Sequence, residues 1–190
     1  MSDISTVLSL GDPAPEFELR EVTGGSLMAL SDFAGSEALV VMFLCRHCPY
    51  VQHVQYELAT IERDYTPRGV TFVGICSNDP DGYPEDAPPS LAEHKREVGW
   101  TFPYLFDETQ DVAKSYGAVC TPDVFVFDRD RRLVYRGQID DSRPTGGKQP
   151  DGRDLRAALD AVLAGEPVPA EQIPPMGCSI KWRPGNEPAA

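Results

Sequence analysis

The sequence predicts an α/β fold with helices on both faces of a central sheet, and three observations carry the prediction. Residues 38–44 (ALVVMFL) are a continuous apolar run of strand length and β-branched character, as in a strand buried on both faces. Val51, Val54, Leu58, Ile61 and Tyr65 follow at helical spacing as one apolar stripe. Residues 70–76 (VTFVGIC) form a second buried strand, and the right-handed crossover rule makes the strand–helix–strand unit a parallel pair.

The other elements follow in chain order. Gly11-Asp12-Pro13-Ala14-Pro15 is a stiff lead-in. Residues 17–19 and 27–30 flank Thr23-Gly24-Gly25 and read as a hairpin, and Ser31 or Asp32 starts a short turn before Gly35. The long helix spans about 49–65, with Pro49 in its first turn and Pro67 and Gly69 ending it. Residues 78–89 are a loop rich in Pro, Asp and Gly. Ser90 is expected to cap a helix running to about Val98, with Glu93 at the capping-box position. Residues 102–106 read as a short extended segment, and 107–116 as a helix ended by Gly117. Residues 123–127 and 133–136 pair antiparallel around a polar turn. After a Gly/Pro loop (142–152), residues 154–164 make the last helix. The expected organisation is one domain over 1–164, with a Pro-rich tail over 165–190 packing on it.

Composition bounds the function. At 190 residues, with 41% hydrophobic and 25% charged residues, the chain suits one globular domain. Its net charge of −13 argues against nucleic acid and anionic membranes as partners. No apolar run approaches a membrane span, and residues 1–6 show no secretory pattern, so a cytoplasmic location is expected. Five cysteines (45, 48, 76, 120 and 178) are an odd number without the spacing of a secreted disulfide framework.

The chemistry centres on Cys45-Arg46-His47-Cys48-Pro49, between the end of a buried strand and the start of a helix. An α/β sheet places reactive groups there, and the helix dipole stabilises a thiolate. Cys45 is expected to be the exposed nucleophile, its thiol acidified by the helix N-terminus and by Arg46 and His47. Cys48, one turn further in, resolves the mixed disulfide. A structural zinc site needs four ligands, and no second close Cys or His pair supplies them, so no metal is expected. Cys120 is a third redox group or a small buried residue in a tight loop. Cys178 resolves a disulfide, pairs with Cys120 or anchors the tail, while Cys76 belongs to the core. His53 and His94 read as solvated, and Asp140 and Asp141 as turn caps.

The dithiol after the first core strand, with Thr121-Pro122 entering a later one, resembles the thioredoxin fold: a three-layer α/β/α sandwich, here with an N-terminal β-hairpin and an insertion after the second core strand. The hairpin and insertion resemble the peroxiredoxin-like (AhpC/TSA-related) branch. The nearest pattern within it combines a thioredoxin-type dithiol with Cys-Thr-Pro-Asp, Asp-Asp-Ser-Arg-Pro and Gly-Cys-x-Ile-Lys-Trp, found here at 120–123, 140–144 and 177–182. The resemblance implies a cis-proline at Pro122 facing the dithiol and shaping a substrate groove beside Thr121. It implies thiol–disulfide exchange with protein or small-molecule disulfides, no organic cofactor and a dithiol electron donor. A His before the second cysteine also occurs in protein disulfide isomerase and DsbA, which implies a potential above about −270 mV. Peroxiredoxins place the attacking cysteine in Pro-x-x-x-Thr/Ser-x-x-Cys. Cys48-Pro49 matches its end, but Val41 and Cys45 stand at both supporting positions, so slow peroxide turnover is expected, with Arg143 the candidate arginine. Two alternatives stay open: a thiol peroxidase using Cys48, and a soft-metal module using Cys45, Cys48 and Cys120 or Cys178.

Overall fold

The computed structural model describes residues 8–189; the segment 1–6, read above for a secretory signal, lies outside them. β1 (Glu18–Glu21) and β2 (Leu27–Ala29) form the expected hairpin, with Leu19 opposite Met28. β3 (Ala38–Phe43) leads through the cysteine turn into α1 (Pro49–Tyr65), and β4 (Val70–Cys76) returns parallel to β3 with Val41 opposite Val73. α2 (Pro88–Val98) then leads to β5 (Tyr104–Phe106), which pairs parallel with β4 and antiparallel with β1. The insertion therefore adds a strand to the sheet as well as a helix beside it. After α3 (Asp111–Tyr116) come the short β6 (Cys120–Thr121), then β7 (Asp123–Phe127) and β8 (Leu133–Gly137), which pair antiparallel, with β7 also antiparallel to β3. α4 (Arg153–Leu163) and β9 (Cys178–Ser179) close the chain.

One seven-stranded sheet, in the order β2-β1-β5-β4-β3-β7-β8, separates two cores. Alternate residues of β3 supply them, because successive side chains on a strand point to opposite faces. Val40 and Met42 pack with Val51, Val54, Leu58 and Ile61 of α1, Leu91 of α2 and Leu155 and Leu159 of α4. Leu39, Val41 and Phe43 pack with Val112, Ala113 and Tyr116 of α3, and with Phe17 and Phe33. This is the three-layer α/β/α sandwich expected from the sequence.

Two helix starts differ from expectation. Pro88 opens α2, with Ala87 at the cap position, so Ser90 lies inside the helix. Proline suits this first turn because its fixed φ is already helical and it has no N–H to leave unpaired. Ser90 instead accepts the Arg46 guanidinium on its hydroxyl and carbonyl, each at 2.9 Å. α3 begins at Asp111, and the buried Asp107 carboxylate caps it from outside by accepting the Ala113 N–H at 2.9 Å.

Candidate active site

Cys48 is the N-cap residue of α1, so the positive end of that helix lies nearer its sulfur than that of Cys45. The sequence-based expectation of an exposed, acidified Cys45 is corrected on both counts. Cys45 and Cys48 are fully buried, at 0% exposure each. The Cys45 thiol is pushed up, first by its hydrogen bond to Cys48, then by burial and the charge of Asp86. The Cys48 thiol is pulled down by the neighbouring Cys45 thiol, opposed by burial, and further by Cys178, the Val51 N–H and Thr121. One contact opposes this: the Thr121 carbonyl lies 3.2 Å from Cys48 Sγ, a partner for a thiol but not for a thiolate. The donors around Cys48 outweigh it, because the alternative leaves a charge on Cys45 beside a buried carboxylate.

That carboxylate is the functional group the sequence reading missed. Asp86 is fully buried, and its carboxylate accepts the Arg46 N–H at 2.8 Å, the Asn78 side-chain amide at 2.9 Å and the His47 ring Nδ1 at 2.5 Å. His47 also stacks on Tyr83, with ring centroids 4.9 Å apart. Asp86 lies in the loop 78–89, rich in Pro, Asp and Gly, where no local signal singles it out. Arg46 is likewise diverted from the role expected of it. Its guanidinium reaches Glu93 at 2.8 Å and Glu97 at 3.0 Å, so its charge is spent on α2. Cys45, His47 and Asp86 each offer one ligand atom within 4.8 Å of the others, the nearest approach to a metal cluster among the described residues.

On the opposite side, Thr121 touches both sulfurs. Its Oγ1 lies 3.2 Å from Cys45 Sγ and its carbonyl 3.2 Å from Cys48 Sγ. The Thr121–Pro122 peptide is cis. The buried Asp123 fixes this loop by accepting the Val119 N–H at 3.1 Å and pairing with Arg136 at 3.0 Å. Cys120 is buried, its thiol pushed up to about 12 mainly by burial, and its sulfur faces the Pro122 carbonyl at 3.7 Å. Cys76 is buried at the end of β4.

Beside Pro122 is a recess lined by Tyr50, His53, Asp140, Ser142, Arg143 and Met176. His53 was expected in solvent; it is half-buried, with Nε2 3.0 Å from Ser142 Oγ. His94 was also expected in solvent, but it is 4% exposed, with Nε2 2.8 Å from Gln55 Oε1 and its ring edge-on to Trp100. Asp140 is a buried cap, accepting the N–H of Ser142, Asp151 and Gly152 at 2.7–2.8 Å. Arg143 donates to the carbonyls of Asp140 and Ser142, to Gln138 Oε1 and to Met176 Sδ, so it holds the loop to the tail. The three short motifs at 120–123, 140–144 and 177–182 thus meet around Pro122.

A family model described as the AhpC/TSA family matches residues 10–136. Two solved structures superpose closely. An uncharacterised conserved protein of Geobacillus kaustophilus is 53% identical, with TM-score 0.92 over 95% of this chain and 96% of its own. A hypothetical protein of Sinorhizobium meliloti 1021 is 46% identical, with TM-score 0.92 over 95% of this chain and 98% of its own. A candidate peroxiredoxin of Mycobacterium tuberculosis (strain H37Rv) is 29% identical over 114 residues, 60% of this chain and 67% of that protein.

Proposed function

This chain belongs to the AhpC/TSA family, a thioredoxin-fold redox family, and from that premise we propose that it is a thiol–disulfide oxidoreductase whose working unit is Cys45 and Cys48. The observation that carries the reading is Thr121 set against both sulfurs, 3.2 Å from each, with Cys48 at the N-terminus of α1. The Cys48 thiolate attacks one sulfur of a substrate disulfide and releases the other as a thiol. Cys45 then loses its proton and attacks the Cys48 sulfur, which closes the Cys45–Cys48 disulfide and frees the second substrate thiol. This assignment exchanges the roles that the sequence suggested. Thr121 and Pro122 border the groove that receives the substrate, a protein or small-molecule disulfide. A dithiol donor in a reducing cytoplasm returns the pair to its starting state. The mechanism uses no organic cofactor.

The test is trapping. Cys45→Ser combined with Cys178→Ser, which removes both neighbouring thiols, is expected to accumulate mixed disulfides at Cys48 and to lose insulin-disulfide reduction, while Cys48→Ser loses both reactions. Trapping at Cys45 in the Cys48→Ser chain would restore the sequence-based assignment of roles, and no trapping in either chain would remove the dithiol reading.

A second reading, thiol peroxidase at Cys48, draws on Cys48-Pro49 at the helix N-cap with its lowered pKa. It predicts fast hydrogen peroxide consumption by Cys45→Ser. Against it, the named contacts of Arg143 are all with its own loop and Met176, which leaves no arginine assigned to the peroxide. The soft-metal module has one supporting feature, the Cys45, His47 and Asp86 cluster, and predicts stoichiometric metal retained through reducing purification.

A further inference from the structure

A third sulfur reaches the dithiol from the tail. β9 pairs antiparallel with β6, with Cys178 opposite Thr121 and Ser179 opposite Cys120. Directly opposed residues share a face of the ladder, so Cys178 lies on the face of Thr121, toward the dithiol, and Cys120 points the other way. Cys178 lies close enough to Cys48 for the two thiols to perturb each other's ionisation, with the Tyr50 N–H of the α1 N-terminus nearby. It packs against the core cluster that contains Cys45 and Cys48, yet stays only partly buried.

The placement is built. A Cβ on Gly177 would collide with the Thr121 carbonyl oxygen, so only glycine lets the tail press this closely on the loop. On the far side, the Ile180 N–H donates to the Val119 carbonyl at 3.2 Å and the Lys181 N–H to Asn78 Oδ1 at 2.9 Å. The Lys181 carbonyl accepts the Asp79 N–H at 2.8 Å, and upstream Arg143 holds Met176.

We infer that Cys178 is a redox residue of this protein, which resolves mixed disulfides on Cys48 and forms a Cys48–Cys178 disulfide as an alternative to Cys45–Cys48. The inference rests on the reading of Cys48 as the attacking sulfur. In the step, Cys178 gives its proton to solvent and its thiolate attacks the Cys48 sulfur of a Cys48–substrate disulfide. The Cys48–Cys178 bond forms, the Cys48–substrate bond breaks, and the substrate leaves as a thiolate that takes up a proton. Cys48 and Cys178 together lose the two electrons that the substrate disulfide gains. Both candidate resolving thiols are held protonated: Cys178 is pushed up to about 11 by burial and Cys48, partly offset by Lys181, and Cys45 by Cys48, burial and Asp86; Cys178 differs in being partly exposed, so its proton can pass to solvent. A dithiol reductant reaching the partly exposed Cys178 sulfur then expels Cys48, whose low pKa makes it the better leaving group.

The test uses the full chain. Cys45→Ser is treated with oxidised glutathione, quenched by alkylation, digested without reduction and mapped by mass spectrometry. The expected product is a Cys48–Cys178 linked peptide, with glutathione on Cys48 only transient. Adding Cys178→Ser should leave glutathione on Cys48, and adding Gly177→Ala, which retains the thiols and displaces the strand, should slow linkage by about tenfold or more. Stable glutathione on Cys48 with Cys178 alkylated in the Cys45→Ser chain would overturn the inference. The single variant Cys178→Ser separates the two readings. If it forms a Cys45–Cys48 disulfide, the dithiol reading stands whatever Cys178 does. If it does not, and Cys45→Ser takes up no glutathione, both readings fail.

Discussion

Two walls enclose the same pair of sulfurs and treat them oppositely. The wall built from residues 77–98 of the insertion side sets the buried Asp86 against Cys45, and the side chains of the cysteine turn that face it are occupied: His47 with Asp86, Arg46 with Glu93 and Glu97. The wall built from the N-terminus of α1 and the tail, residues 176–182, surrounds Cys48 with donors from Val51, Cys45 and Cys178. Two cysteines three positions apart thus meet different electrostatic surroundings. The difference shows that a Cys-x-x-Cys spacing gives proximity, while the assignment of charge within the pair depends on chain segments remote in sequence.

Three changes test this contrast, with a fourth taken last. The largest effect is expected from Asp86→Ala. The Arg46 N–H and the Asn78 amide lose their acceptor, and an orphaned buried donor costs about 1–3 kcal/mol, so the unfolding free energy from denaturant titration should fall by roughly 3 kcal/mol. Asp86→Asn, which removes the charge and retains an acceptor, should cost less and lower the Cys45 pKa in an ultraviolet thiol titration. An unchanged Cys45 titration would break the contrast between the walls.

Next comes His94, on α2 in the same wall. Burial holds it neutral and, with the charge of Arg46 and against that of Asp86, lowers its pKa from 6.5 to about 4. The folded pKa lies below the unfolded one, so the unfolded chain binds the proton first. The stability associated with a neutral His94 is complete above about pH 6.5 and lost as pH falls toward 4, by at most roughly 3 kcal/mol. Chemical denaturation at pH 7 and pH 5 should show this loss in the parent chain and a smaller one in His94→Gln.

Gly177→Ala addresses the second wall. The added methyl meets the Thr121 carbonyl, and overpacking of this kind costs about 2 kcal/mol. As the strand lifts, alkylation of Cys48 should accelerate by about tenfold. An unchanged rate would mean that the tail does not cover the dithiol.

What the sequence made legible follows from this geography. β3, α1 and β4 were read nearly residue for residue, because each carries its own period and lies next to its partners in the chain. The fold class followed from their order. The cysteine turn was visible for the same reason. Asp86 and His94 were misread because burial depends on what packs over a loop or a polar helix, and neither carries a periodic signal for that. The motif Gly-Cys-x-Ile-Lys-Trp was noticed but not understood. The need for Gly177 exists only once the tail meets Thr121, more than 50 positions earlier in the chain.

Arg46 provides the smallest and most discriminating prediction. Its position beside Cys45 suggested that its charge acidifies the dithiol, and in isolation a guanidinium near a thiolate does so. In the folded chain that charge is shared among Glu93, Glu97 and Ser90 on α2. Those carboxylates are half-exposed, so the ion pairs themselves contribute little and are weakened by salt. Arg46→Ala should therefore leave the Cys48 titration where it is and have little effect on folding, because the donors that acidify Cys48 are the Cys45 and Cys178 thiols and the Val51 N–H. An upward shift of the Cys48 titration in Arg46→Ala would mean that charge on the insertion wall reaches across to the second sulfur, and the two cysteines would then share one electrostatic environment.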